Sequence, residues 1–402
     1  MADRHVRVPR LGRAAPPFGT EFVSLEAASG IVLLLATVAA LLWANLASGA
    51  YVDWWHRELT IGIGDLAITE DLAHWVNDGL MTVFFFVVGL EIKRELVHGE
   101  LRDPRAAALP AMAAVGGMVV PALFYVAVNL GGGNLDGWAV PMATDIAFAV
   151  GVLAILGSRV PAPLKLFMLT LAIVDDVGAI IVIALFYSKG IDLGWLFAAA
   201  GALLFVHLMS RFGANRVLMY VVPALLVWVC VFESGVHATL AGVVLGLMTP
   251  ASPRGGKPVL ERLERGLHPV SSFVIVPLFA LANAGIVLSV DAIDAALHSR
   301  ITLGIVAGLV VGKFTGILGA TWIGVRARIG RLPEGIRTRD IAGVAAVGGI
   351  GFTVALFVSD LTFHGIELDE AKMGVLGASL IAAVIGVVVL LVTLRIPEED
   401  RS

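Results

Sequence analysis

The chain has 402 residues, 58% of them hydrophobic and only 15% charged, with a formal net charge of -4. Soluble proteins carry about 25% charged residues, so this composition excludes a water-soluble chain and reads as an integral membrane protein; no nucleic-acid partner is expected. The single cysteine, Cys230, excludes an intramolecular disulfide and any cysteine-based metal site.

Residues 1–20 form a basic, proline-containing arm with Arg4, Arg7, Arg10 and Arg13, read as a tail at the membrane face. The apolar run that follows is long enough to span rather than be cleaved. A helix needs about 20 apolar residues to cross a bilayer. Runs near that length predict about twelve spans, at 26–46, 72–97, 106–129, 134–157, 163–187, 192–210, 216–232, 235–249, 268–288, 299–325, 340–361 and 370–394. If the N-terminus is inside, the outside segments hold only Arg57, Lys189, Arg300 and Lys372 of the 28 Lys and Arg, and Lys313 is left within a span. The positive-inside bias then places both termini in the cytoplasm. The fold expected is an all-α polytopic membrane protein with one transmembrane domain over 21–396 and a cytoplasmic tail over 397–402.

In the first outside loop, residues 58–69, Leu59, Ile61 and Ile63 alternate with small or polar residues, and Gly64-Asp65 fits a two-residue type II′ turn. This predicts a β-hairpin outside the membrane. A lone hairpin is marginal in water, so it is expected to pair with another chain.

The second span carries Asp78, read either as an outward vestibule acid or as a helix-packing acid. Its far end holds Glu91, Arg94 and Glu95, three and four residues apart and so on one helix face, read either as a solvated helix end or as a charged funnel mouth. In the fourth span Pro141 removes a backbone donor and Thr144-Asp145 follows within a turn, which is tolerated at depth where side chains or water satisfy the freed carbonyls. The fifth span centres on the adjacent acids Asp175 and Asp176. An acid at the bilayer centre costs roughly 2.5–3.5 kcal/mol on insertion scales, and ionisable groups there mark ion or proton paths. His237 sits in an apolar helix, where a histidine is either a hydrogen-bonded core residue or a switch. Lys313 in the tenth span needs an acid at its own depth, and Asp145, Asp175 and Asp176 are the acids there. In the eleventh span Gly348, Gly349 and Gly351 weaken the helix centre. Spans four and eleven are thus both interrupted, at matching places in two triplets over about 104–187 and 299–394. Such a pair points to inverted repeats with a site at the midplane.

Taken together, the stretches Phe84 to Glu95, Ala143 to Gly151, Ala172 to Ile181, Ser234 to Gly246, Arg262 to Pro269, Pro277 to Val287, Gly312 to Gly316 and Gly348 to Phe352 resemble the NhaA-type bacterial sodium/proton antiporters, a family that is itself a standard example of the inverted-repeat architecture. The match covers nearly all of the chain past about residue 20. The resemblance implies that Asp175 and Asp176 are the ion-site pair, Thr144 and Asp145 lie at the break of two crossed helices, and Lys313 stands beside the site. It also ties Glu91, Arg94, Glu264 and His268 to pH regulation at the cytoplasmic entrance, makes the hairpin a homodimer contact, and places the protein in the bacterial inner membrane. One departure is Arg265, which stands where a second histidine is expected.

Adjacent residues point about 100° apart on a helix, so the two acids take different jobs: Asp176 as the main ligand for Na+ and Asp175 as the partner of Lys313. Carboxylates, a hydroxyl and water suit a hard cation such as Na+ or Li+. Protons compete for the same oxygens, and no cofactor is required. The competing reading, a sodium-coupled symporter of an organic anion, needs a polar organic pocket, and the sequence places no cluster of Arg or Asn at depth to make one.

Overall fold

The structure, a computed structural model, describes residues 20–62, 67–188, 190–212, 217–251 and 259–394. The N-terminal arm up to residue 19, the Gly64-Asp65 turn and the C-terminal tail lie outside them. Helical segments occupy the places of all twelve predicted spans. They are α1 (Thr20–Leu46); a continuous helix over 72–98; Pro104–Asn129; the interrupted Leu135–Ile155; Ala162–Phe186; Leu193–Arg211; Leu218–Glu233; Thr239–Met248; Val259–Asn283; Arg300–Arg326; the pair Thr338–Val347 and Phe352–Thr362; and Ile366–Thr393. Eight of the described helices are long and apolar enough to cross a membrane, and the pair, bent by 48° at its break, makes a ninth. The helix over 72–98 is charged at its end, and Leu218–Glu233 and Thr239–Met248 are shorter.

Local chemistry sets many of the boundaries. The Asp103 side chain accepts from the Arg105 amide at 3.0 Å and Pro104 follows at the first helical position, where a missing N–H costs nothing. Asp192 accepts from the Gly194 and Trp195 amides at 2.7 and 3.1 Å to start Leu193–Arg211. Large apolar side chains such as Phe197, Phe205, Phe212, Leu218 and Val222 face outward, as lipid contact requires and water would not tolerate in such density.

Two expectations are corrected. The span predicted over 268–288 belongs to a helix that begins at Val259 and ends at Asn283. Its first turns carry Arg262, Glu264 and Arg265, which lowered the hydropathy although they lie on a helix with Leu260 and Glu264 buried. The connections between the long helices also contain two short helices, Ser48–Trp55 and Val290–His298, that no apolar run signalled.

The hairpin pairs Glu58–Ile61 antiparallel with Ile68–Asp71, in the register Glu58↔Asp71, Leu59↔Glu70, Thr60↔Thr69 and Ile61↔Ile68. It therefore extends two residues beyond the predicted limit.

Glycines let the backbones touch. A Cβ on Gly246 would stand 2.6 Å from the Phe86 carbonyl oxygen and 2.8 Å from the Gly89 Cα, whereas one on Gly377 would meet nothing within 4 Å. Gly246→Ala is expected to destabilise the detergent-solubilised protein by about 1–3 kcal/mol through overpacking. Gly377→Ala should be neutral or gain up to about 1 kcal/mol from helix propensity. Thermal melting of both variants checks the contrast.

Candidate functional site

The site lies where the two interrupted spans meet. In the first, a 3-10 stretch, Leu135–Met142, gives way to extended residues before the helix Ile146–Ile155. Pro141, inside that stretch, packs against Gly308, whose added Cβ would stand 2.6 Å from the Pro141 Cβ. In the second, Gly348, Gly349 and Gly351 fill the gap between Thr338–Val347 and Phe352–Thr362. The breaks are joined by hydrogen bonds. The Asp145 amide donates to the Ile350 carbonyl at 2.7 Å, and the Thr144 hydroxyl donates to the Gly348 carbonyl at 2.9 Å. The Asp145 carboxylate caps both half-helices. Oδ1 accepts from the Phe148 amide at 2.9 Å, and Oδ2 accepts from the Thr353 amide at 3.0 Å and its hydroxyl at 2.7 Å.

Asp175 and Asp176 lie in the middle of the unbroken helix Ala162–Phe186. The Lys313 Nζ donates to Asp175 Oδ2 at 2.7 Å and to the Thr144 hydroxyl at 2.9 Å. Lys313, Asp175 and Thr144 are all 0% exposed. Lys313 directly follows a π-helical stretch, Ala307–Gly312, a distortion found often at functional sites. Asp175 Oδ1 and Asp176 Oδ1 are buried with no hydrogen-bond partner. Orphaned oxygens of this kind call for an explanation such as an ion.

Asp176, Thr144, Asp145 and Thr353 line one cavity, together with Glu91 and His268. Its open volume is about 70 Å³. That admits a small hydrated ion, whereas organic ligands occupy clefts of roughly 300–1,000 Å³. Near the cavity's Glu91 end, Arg94 joins two helices. It donates to Glu264 and, at 3.1 Å, to Glu95, and lies 3.9 Å from Glu91. Glu95, 4% exposed, also accepts from the Glu100 amide at 3.1 Å. Of the residues singled out in the sequence, Thr144, Asp145, Asp176, Glu91 and His268 thus line one cavity, Asp175 and Lys313 adjoin it through the Lys313–Thr144 contact, and Arg94 and Glu264 adjoin it beside Glu91.

Two others lie elsewhere. Asp78 pairs with His74 at 3.2 Å, and the His237 Nε2 lies 2.8 Å from the Tyr187 carbonyl oxygen. Thr353 was missed in the sequence. A threonine in an apolar span carries no signal of its own, and its partner Asp145 is 208 residues away.

The sequence profile of the family described as Na+/H+ antiporter 1 matches residues 20–390. The chain is 47% identical over 403 residues to the Na(+)/H(+) antiporter NhaA 1 of Erythrobacter litoralis, covering 98% of this chain and 97% of that protein. It is 45% identical over 422 residues to the Na(+)/H(+) antiporter NhaA of Rhodopirellula baltica, covering 95% of each, and 45% identical over 382 residues to that of Escherichia coli, covering 93% of this chain and 98% of that protein. Similarity at this level over almost the whole length leaves one assignment: the chain belongs to the Na+/H+ antiporter 1 family.

Proposed function

We propose that the chain exchanges sodium for protons across the bacterial inner membrane, with Asp176 and Asp175 as the shared acceptor. The observation that carries this reading is a buried acid pair in which Asp175 is held by Lys313 while both Oδ1 atoms lack a partner. Two adjacent carboxylates at this depth cannot both stay ionised cheaply and titrate as a coupled system. Sodium bound by their oxygens offsets the charge, and so does a proton. Thr144 and Asp145, already engaged as hydrogen-bond partners, form the wall of the site. Exchange then follows if the site faces one side at a time and an empty site does not turn over. With two protons per sodium, one net charge enters per cycle, and the membrane potential contributes roughly 2.3 kcal/mol per 100 mV toward extrusion. Lithium, a smaller hard cation, fits the same oxygens. Dimerisation through the hairpin, whose Leu59 and Ile61 are exposed, belongs to the same reading, as do cytoplasmic termini.

Reconstituted proteoliposomes with an internal pH dye test it. Adding sodium to proton-loaded vesicles should release protons with no third solute present, and a requirement for an organic anion would move the chain to the symporter class. Competition also sets the pH profile. Protonated acids hold no sodium, so exchange fades at acid pH, and a tenfold rise in sodium is expected to lower the half-maximal pH by about half a unit to one unit, for two or one competing protons. Glu264→Gln with His268→Ala separates this from a dedicated sensor. Under competition alone the profile stays in place, whereas a shift assigns pH regulation to the network of Glu91, Arg94, Glu264 and His268.

A further inference from the structure

We propose that the hydroxyls of Ser271 and Ser272 form an entry subsite for sodium, one turn in from His268, that tilts the exchange site toward sodium over protons. The inference rests on the exchange reading above and adds residues that set its ion preference.

Hydroxyls in the apolar helices of this chain are commonly spent on their own backbone. Thr37, Thr170, Thr321 and Ser359 each donate to the carbonyl four residues earlier, at 2.7 to 3.0 Å, the usual way a hydroxyl is satisfied inside a helix. Ser271 and Ser272 differ. Neither hydroxyl has a hydrogen-bond partner among the described residues, although Ser271 is only 3% exposed. Both serines line the cavity that holds Asp176. The backbone accounts for the difference. Pro269 withholds an amide just before them, and the next turn, Ser271–Ile275, is π-helical. The wider turn breaks the four-residue spacing on which back-bonding depends, and such distortions are frequent at functional sites.

The place of the pair along the path follows from its neighbours. Arg94 bonds to Glu264 at one end and Asn77 to Asn283 at the other, so the helix over 72–98 runs antiparallel to Val259–Asn283. Glu91 thus stands level with His268, Val87 and Val88 with the serines, and Phe84 with Val276. On these two walls the serines are the only side-chain oxygens between the half-buried Glu91 and His268 and the apolar level beyond. Asp176 and Asp145, 7% and 2% exposed, line the same cavity from other helices.

A hydroxyl is a neutral oxygen ligand that a hard cation accepts, and it can replace water shed by an ion moving inward. It takes up no proton at working pH. It therefore strengthens sodium binding without strengthening proton binding. The other polar groups facing the cavity include the carboxylates of Glu91, Asp145 and Asp176 and the imidazole of His268, all of which titrate. The open volume of about 70 Å³ leaves room for the ion together with waters.

Ser271→Ala with Ser272→Ala, in the full chain reconstituted into proteoliposomes, tests the proposal. Half-saturating sodium at alkaline pH is expected to rise about tenfold, from about threefold for each neutral ligand, while the maximal rate changes by less than about twofold. At fixed sodium the half-maximal pH should rise by about half a unit to one unit, and about tenfold more sodium should restore the parent profile. Each single variant should show its own threefold rise, so a poorly folding double variant leaves the test intact. Ser272→Thr keeps the hydroxyl and should stay near the parent. Thr321→Ala, which removes a hydroxyl spent on its own helix, should leave half-saturating sodium unmoved. An unchanged value in the serine-to-alanine variants, or a loss that added sodium does not recover, would overturn the proposal. Absence of sodium-driven proton release from the unaltered protein would instead sink the exchange reading itself.

Discussion

Asp176→Asn is expected to cut sodium-driven proton release at least about 100-fold at any pH, with the protein still inserted and folded. The reason is electrostatic. A bare cation inside the bilayer loses its hydration, and the penalty is several kcal/mol per ion unless an opposite charge and further oxygens replace the water. Asp176 lines the cavity and its Oδ1 has no other partner. Replacing it by an amide removes the charge and retains the shape. At tenfold per 1.4 kcal/mol, a loss of about 3–4 kcal/mol of sodium binding takes affinity down by two to three orders of magnitude. Proton release from vesicles, read with a fluorescent pH probe, gives the rate. Binding of sodium to solubilised protein by calorimetry gives the affinity. Exchange persisting at the normal rate in a variant lacking both Asp175 and Asp176 would refute the site.

Lys313→Met should produce the largest loss of stability. The Lys313–Asp175 pair is 2.7 Å long and neither partner is exposed. Breaking such a pair by removing one member costs about 3–5 kcal/mol, because a charge is left buried alone. Asp175→Asn should cost a similar amount by stranding the lysine. Replacing both members by uncharged groups is often neutral, so the Lys313→Met, Asp175→Asn double variant should melt near the parent. Thermal melting of the four proteins forms a double-mutant cycle, and its coupling energy measures the pair directly. Additive losses would mean that the two groups do not depend on each other.

Much of this was legible because a membrane leaves few reasons for charge. Asp145, Asp175, Asp176 and Lys313 stood out as ionisable groups in apolar runs. Pro141 and the glycines at 348, 349 and 351 marked the two breaks by backbone chemistry alone. The pairing of spans in two triplets came from where those breaks fall. What stayed hidden depends on distant contacts. Thr353 has no signature until it meets Asp145. Asp360 and Lys372 fall at span ends, where charges are ordinary, and only folding brings Asp360 beside Asn77 and Asn283. The start of Val259–Asn283 was missed for a different reason. Its first turns are amphipathic, with Leu260 and Glu264 buried beside exposed Arg265, so average hydropathy understated a helix that periodicity would have found.

The double cap at Asp145 has a mechanical meaning. One carboxylate grips the first turns of Ile146–Ile155 and of Phe352–Thr362 at once, so neither half-helix can tilt without dragging the other. The two are tied into a single wedge, flanked by the non-helical links at residues 143–144 and 348–351. The lysine-acid pair stands on a neighbouring pillar, bridged to the wedge through the Thr144 hydroxyl. The Thr144 hydroxyl is thus a direct polar link between the lysine-acid pair and the crossing of the two breaks.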